Sequence, residues 1–182
     1  FLKRMQLELH TTNSFPHSSG IASSASGMAA LALCLVDLER KGDPGMSGAF
    51  FRRKASFLAR LGSGSASRSI EGGLILWGLQ EGFPESSDRY AIPYPHQVAP
   101  VFQSFHDTIL LVDKGKKSVS STAGHKLMEG HPFARSRFDQ ARKHLQSLKS
   151  ILAEGDLEGF TELVETEALS LHAMMMSGSP SY

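Results

Sequence analysis

The sequence predicts an α+β fold. Three observations carry that prediction. The first residues alternate apolar and polar, short apolar runs stand at 72–77 and 108–112, and the last third holds two consecutive helical stripes. A chain of 182 residues has room for one domain and part of another. The border is expected within 113–130, dividing 1–113 from 114–182. No internal repeat occurs.

Met5, Leu7 and Leu9 alternate with Gln6, Glu8 and His10, the period of a strand. A helix is expected from about Ser19 to Leu38, with Ile21, Ala25, Met28, Ala32 and Leu35 near helical spacing. Lys41-Gly-Asp-Pro-Gly45 breaks it. Met46 to Leu61 is expected to be helical, with Phe50, Phe57, Leu58 and Leu61 inward. The loop Gly62–Ser69 leads to Gly72-Gly-Leu-Ile-Leu-Trp77, a short buried strand. Residues 81–100 hold four of the eight prolines and read as loop or hairpin. Thr108-Ile-Leu-Leu-Val112 reads as a buried strand. After a basic, hydroxyl-rich loop at 114–124, one helix aligns Phe138, Ala141, Leu145, Leu148 and Leu152. Gly155 ends it and Asp156 caps the next. That helix aligns Leu157, Phe160, Val164, Ala168, Leu171 and Met175.

Bulk composition excludes several classes. Net charge is +1, so no global field favours nucleic acid or an anionic membrane, and any anion binding must be local. No apolar run reaches the roughly 18 residues of a membrane span. The lone Cys34 excludes an internal disulfide, is expected to be a buried thiol, and fits a reducing compartment. The eight histidines show no metal-ligand spacing, and His172 reads as a packed, hydrogen-bonded side chain. The start does not resemble a signal peptide, and both ends read as cuts in a longer chain.

Two segments carry chemistry. Asn13 to Gly27 packs six serines and two glycines before an apolar helical run. Small residues at a helix start let backbone N–H groups approach an anion, and the helix dipole favours it. The plain alternative is a well-capped helix without a ligand. The second segment, Gly62-Ser-Gly-Ser-Ala-Ser-Arg-Ser69, carries one arginine among hydroxyls. The guanidinium of Arg68 is a planar fork for carboxylate or phosphate; its plain alternative is a surface pair with Glu71. Lys114, Lys116 and Lys117 form either a solvated hairpin tip or a phosphate contact. There is no Walker loop, no complete dinucleotide fingerprint and no nucleophile elbow.

Asn13-x-Phe-Pro-x-x-x-Gly20-Ile-Ala-Ser-Ser-Ala-Ser-Gly27 resembles the phosphate loop of the GHMP kinase superfamily, and within it the diphosphomevalonate decarboxylase family. Gly62–Ser69 followed by Gly72-Gly and Trp77 is similar to that family's arginine motif. Val119-Ser-Ser-Thr-x-Gly124 and the segment around His172-Ala173 resemble it too, in order along the whole chain. The resemblance implies a GHMP kinase-like fold: a ribosomal S5 domain 2-like N-terminal domain and the start of a ferredoxin-like C-terminal domain, with the active site in the cleft between.

It also implies an activity, the ATP- and Mg2+-dependent conversion of mevalonate 5-diphosphate to isopentenyl diphosphate. In that family the tertiary 3-hydroxyl is phosphorylated first, and loss of the phosphate drives decarboxylation. Carried over by motif, Arg68 holds the substrate carboxylate, with Asn13, Ser63, Ser65 and Ser121 on the substrate side. Gly20, Ala22, Ser23, Ser24, Ser26 and Gly27, with Lys116 and Lys117, would hold ATP, and Ser24 the metal. A cytoplasmic homodimer is implied, with no nucleic-acid or membrane partner.

The sequence also departs from the family. It has no Asp-x-Gly-Pro-Asn-like motif bearing the general base, no Tyr-Trp-Gly-Lys-like segment, and Ser67 where a cysteine is typical. Residues 1–182 alone are therefore expected to be inactive. Two alternatives stay open: a sibling kinase that stops at phosphorylation, and an inactive binding protein on the same fold. A carboxylate clamp at Arg68 argues against the kinase.

Overall fold

The computed structural model describes residues 6–15, 21–110, 129–179 and 181. These form two compact units, one ending at Pro95 and the other beginning at His96. The border expected at 113/114 lies outside the described residues.

The first unit is built on two helices. Helix α1 runs Ser23–Gly42 and α2 runs Gly48–Gly62. Along α1 the buried residues are Ala25, Ala29, Ala32 and Val36, a stripe at helical spacing. Three of the four are alanine, so the neighbouring backbone can come close. Helix α2 starts with a proper cap, since Ser47 Oγ accepts from the Phe50 N–H at 3.2 Å. It buries Ala55, Ser56 and Ala59. A 3-10 helix, Gly64–Ser69, follows directly. Ala25, Ala32, Ala59 and Ala66 form one core cluster, with Met28, Leu58 and Ile70 packed on it. The closest approach is at Gly62, where an added Cβ would overlap the Met28 thioether and lie 2.8 Å from its Cγ.

Strands β1 (Ile75–Trp77) and β2 (Ala91–Pro93) pair antiparallel, Leu76 opposite Ile92. The proline-rich stretch thus closes a hairpin, as expected. Leu79 N donates to Asp88 Oδ1 at 2.8 Å and Trp77 Nε1 to the Asp88 carbonyl at 3.1 Å, tying its long connection.

In the second unit, α3 (Ala134–Glu154) and α4 (Leu157–Met176) form an antiparallel hairpin. Gly155 closes α3 at φ 80, the left-handed conformation a side chain resists, and Asp156 caps α4 by accepting from Gly159 N at 2.9 Å. A polar seam joins the helices. Arg137 forks onto both carboxylate oxygens of Glu167, whose Oε1 also accepts from His144 Nδ1 at 2.6 Å, and Gln140 donates to Ser170 at 3.3 Å. In the same unit Phe102, Phe105 and Phe160 meet in tilted and edge-on contacts, their ring centroids 5.1–5.4 Å apart.

Several expectations fail for definite reasons. Residues 6–13 are not a strand, and Leu7 and Leu9 are exposed; the sheet of described residues holds only β1 and β2, so nothing pairs with the alternating segment. Residues 108–110 likewise lack a neighbour and expose Ile109 and Leu110. Helix α1 begins at Ser23 rather than Ser19 and runs through Lys41 to Gly42 before Asp43 ends it. Cys34 is exposed, because it lies two residues beyond Ala32 and so about 200° round from the buried stripe.

Phe50 and Leu61 are exposed as well. Close packing reserves the inner face of α2 for small residues, and Phe50 instead lies beneath Lys54 Nζ at 5.7 Å. Phe138 at the start of the α3 stripe is also exposed. On α4 the inward stripe is Phe160, Leu163, Glu167, Ser170 and Met174, about one position round from that expected. The pairing of Glu167 with Arg137 and His144 sets this rotation. It leaves Leu157, Val164, Ala168, Leu171 and His172 exposed, so His172 is not packed.

Gly62→Ala adds helix propensity worth about 1 kcal/mol yet overfills the contact with Met28. We expect a net loss of about 1–2 kcal/mol in urea unfolding, reduced when Met28→Ala is combined with it.

Burial alone would push the Glu167 carboxyl up, but hydrogen bonds from Arg137 and His144 and their positive charge hold it below the ordinary carboxylate range. A lowered folded-state pKa gives stability that is present above the unfolded value, about 4.3, and lost as pH falls through the folded one. Glu167→Gln should therefore lower Tm at pH 7 and flatten the acid side of the Tm–pH curve, read by circular dichroism.

Candidate functional site

The serine-rich turn meets α1 at Ala22. This residue takes the left-handed conformation, φ 55 and ψ 37, and no side chain caps the helix. An alanine there is strained by roughly 1 kcal/mol or more. The carbonyl of Ala22 accepts from Ala25 N at 3.0 Å and Ser26 N at 3.1 Å, so the helix forms at once behind it. A helix start that lacks a side-chain cap leaves its first-turn N–H groups to other partners, and a left-handed residue beside them shapes an anion nest. Ser26 Oγ is turned back onto the Ser23 carbonyl at 3.1 Å. At Gly27 an added Cβ would meet nothing within 4 Å, so this glycine is not required by packing.

The second motif lies against this helix start. Ser24 Oγ and Ser63 Oγ are 3.5 Å apart, at the limit of a hydrogen bond. After Ser63 the 3-10 helix repeats every three residues, so Gly64 and Ser67 share one side and Ser65 and Arg68 another. The inner side is fixed. Ser67 Oγ donates to the Gly64 carbonyl at 3.0 Å, and an added Cβ on Gly64 would lie 3.3 Å from Trp77 Cη2. Ala66 and Ser67 are buried, while Arg68 is exposed. The carboxylate that would neutralise Arg68 on a plain surface is engaged elsewhere: Glu71 pairs with Arg52 at 3.4 Å. No ion pair or hydrogen bond among the described residues involves Arg68.

Ser63 and Ser65 are half-buried beside it, and Asn13 is exposed in the segment before the turn. Gly20, Lys116, Lys117 and Ser121 lie outside the described residues. Among the described residues no three His, Cys, Asp or Glu side chains gather as a metal site, and no helix is long and apolar enough to cross a membrane. A concavity of about 310 Å³ opens elsewhere in the unit, lined by Arg52, Arg53, Glu71, Glu85 and three prolines. It contains none of the candidate residues, and its two arginines are paired with its two glutamates.

The matches with known proteins follow this arrangement. Residues 2–91 match the family model for the diphosphomevalonate decarboxylase-like N-terminal domain. The Candida albicans diphosphomevalonate decarboxylase is 31% identical over 183 aligned residues, covering 98% of this chain and 47% of that protein. The chain belongs to the diphosphomevalonate decarboxylase family. The human diphosphomevalonate decarboxylase is 29% identical, over 96% of this chain and 41% of its own length. This family member thus spans about half the length of the curated relatives it matches. Its fold is that of the mevalonate diphosphate decarboxylases, a GHMP kinase fold. The Legionella pneumophila structure superposes with a TM-score of 0.69 at 26% identity, covering 91% of this chain and 48% of that one. A structure of MDDEF in complex with MVAPP, AMPPCP and magnesium gives 0.67 at 29% identity, over 92% and 48%.

One residue of the site region escapes a motif reading. Ser56, in the middle of α2, is 2% exposed. Its hydroxyl donates to the Ser67 carbonyl at 2.8 Å and accepts from Ala91 N–H at 2.8 Å. The signal was available: Ser56 is a polar residue on the stripe of Ala55 and Ala59, and a buried hydroxyl must find partners.

Proposed function

We propose that the whole polypeptide is an ATP-dependent diphosphomevalonate decarboxylase, converting mevalonate 5-diphosphate and ATP to isopentenyl diphosphate, ADP, phosphate and carbon dioxide. The observation that carries this reading is the meeting of Ser24 and Ser63, which sets an uncapped helix start beside a turn bearing an arginine without an acidic partner. The relatives' names and the MVAPP, AMPPCP and magnesium of the MDDEF complex support it.

The residues fit the groups this activity needs. The left-handed Ala22 and the uncapped start of α1 are a cradle for nucleotide phosphates, with Ser23, Ser24, Ser26 and Gly27 around it. Lys116 and Lys117 would add positive charge to the phosphates, and the Ser24 hydroxyl would serve Mg2+. ATP supplies the phosphoryl group that makes the substrate's 3-oxygen a leaving group.

The protein's work is positioning and charge neutralisation. Arg68 would grip the substrate carboxylate with its planar fork, while Ser63, Ser65, Asn13 and Ser121 hold the rest of the substrate. With the carboxylate fixed, the bond between it and C2 can lie parallel to the empty orbital that forms as the C3–O bond breaks. The C3–O pair leaves with phosphate, the electron pair of the bond between C2 and the carboxylate becomes the new C2–C3 double bond, and carbon dioxide departs.

Truncating one partner of a hydrogen-bonded charge pair costs about 3 kcal/mol or more. In the full-length enzyme Arg68→Ala should lower kcat/KM by about 100-fold or more, with ADP and carbon dioxide falling together. Wild-type turnover in that variant would remove the clamp. ADP without carbon dioxide from the wild-type enzyme would favour a sibling kinase.

A further inference from the structure

We infer that Ser56 is a positioning residue for Arg68, an assignment that rests on the decarboxylase reading of that arginine. The carbonyl of Ser67 belongs to the peptide unit that leads into Arg68, so fixing that plane fixes the direction in which the arginine leaves the backbone. Ser56 Oγ holds the carbonyl at 2.8 Å and is itself held by Ala91 N–H at 2.8 Å. One hydroxyl thereby ties three elements together: α2, the 3-10 helix and β2.

The geometry favours this role over a merely structural one. A serine inside a helix usually turns its hydroxyl back on its own helix, four residues earlier. Ser56 instead reaches across to the turn. Beyond Ser63, whose N–H meets the Ala59 carbonyl at 3.0 Å and whose Oγ meets Ser24 Oγ at 3.5 Å, the turn's other hydrogen bonds, Ala66 N to the Ser63 carbonyl at 2.9 Å and Ser67 Oγ to the Gly64 carbonyl at 3.0 Å, are local to it. They keep it coiled but do not orient it. Ala66, fully buried among Ala25, Ala32 and Ala59, fixes its depth. The Ser67–Arg68 peptide plane is held from outside the turn by Ser56, whose donor and acceptor functions are both used at 2% exposure. No apolar residue of that size reproduces both bonds.

The test uses the full-length enzyme and mevalonate 5-diphosphate turnover. Ser56→Ala should lower kcat/KM about 10-fold alone and less than about twofold when Arg68 is already alanine. Ser47→Ala removes the cap of the same helix, remote from the turn, and should lower Tm while leaving kcat/KM within about twofold. An Ser56→Ala enzyme that folds and keeps wild-type kcat/KM would overturn the inference, and so would an equal loss in both backgrounds.

Hydrogen exchange of the wild-type protein provides a measurement without mutation or activity. If Ser56 couples turn to hairpin, the Ala66 and Ala91 amides open together and their protection agrees within about tenfold. Ala66 exchanging more than tenfold faster than Ala91 would overturn the coupling. This arm decides the matter if Ser56→Ala does not fold. It also separates the two readings, because unchanged turnover in Arg68→Ala removes the decarboxylase role of Arg68 and leaves the exchange result standing.

Discussion

The start of α1 and the arginine turn can meet because the buried core between their helices is made of alanines. Ala25 and Ala32 on α1 face Ala59 on α2 and Ala66 on the turn, and at Gly62 the Met28 side chain occupies the space a Cβ would need. Interiors are packed too tightly to absorb an extra methyl group without movement. The cost of such a core is that each alanine contributes little apolar area. Its return is geometric: two backbones close enough for the short hydroxyls of Ser24 and Ser63 to touch.

The proposed chemistry depends on that closeness. Phosphoryl transfer followed by loss of carbon dioxide asks a protein to hold an anionic phosphate chain and a carboxylate at a fixed separation. A helix start held open by left-handed Ala22 suits the first, and a guanidinium without a carboxylate partner suits the second. Glu71 is only three positions from Arg68, but it pairs with Arg52 instead and so leaves the arginine available. The orientation of the turn is then a hydrogen-bonding problem, met by the buried hydroxyl of Ser56 between the Ser67 carbonyl and the Ala91 amide.

Local signals were legible in the sequence where they are self-sufficient. Gly155 and Asp156 end one helix and start the next as their residue types require, and the proline-rich stretch closes a hairpin. The serine turn and the arginine motif stand out as candidate sites because their composition exceeds what capping needs. What failed depends on partners. The alternation at Leu7 and Leu9 makes a strand only beside another strand. The apolar stripe of α4 was displaced by an ionic demand, the pairing of Glu167 with Arg137 and His144, that hydrophobic periodicity does not register. Phe50 and Leu61 read as core, yet the inner face of α2 belongs to Ala55, Ser56 and Ala59, because the close contact with α1 admits only small side chains. The importance of Ser56 lies in two partners 11 and 35 residues away, invisible to any local motif.

The most direct test is a crystal structure of the whole polypeptide with mevalonate 5-diphosphate and a non-hydrolysable ATP analogue. The account predicts the substrate carboxylate about 3 Å from the Arg68 guanidinium and the nucleotide phosphates on the backbone N–H groups at the start of α1. A carboxylate held by other residues while Arg68 stands in solvent, or phosphates bound away from that helix start, would contradict it.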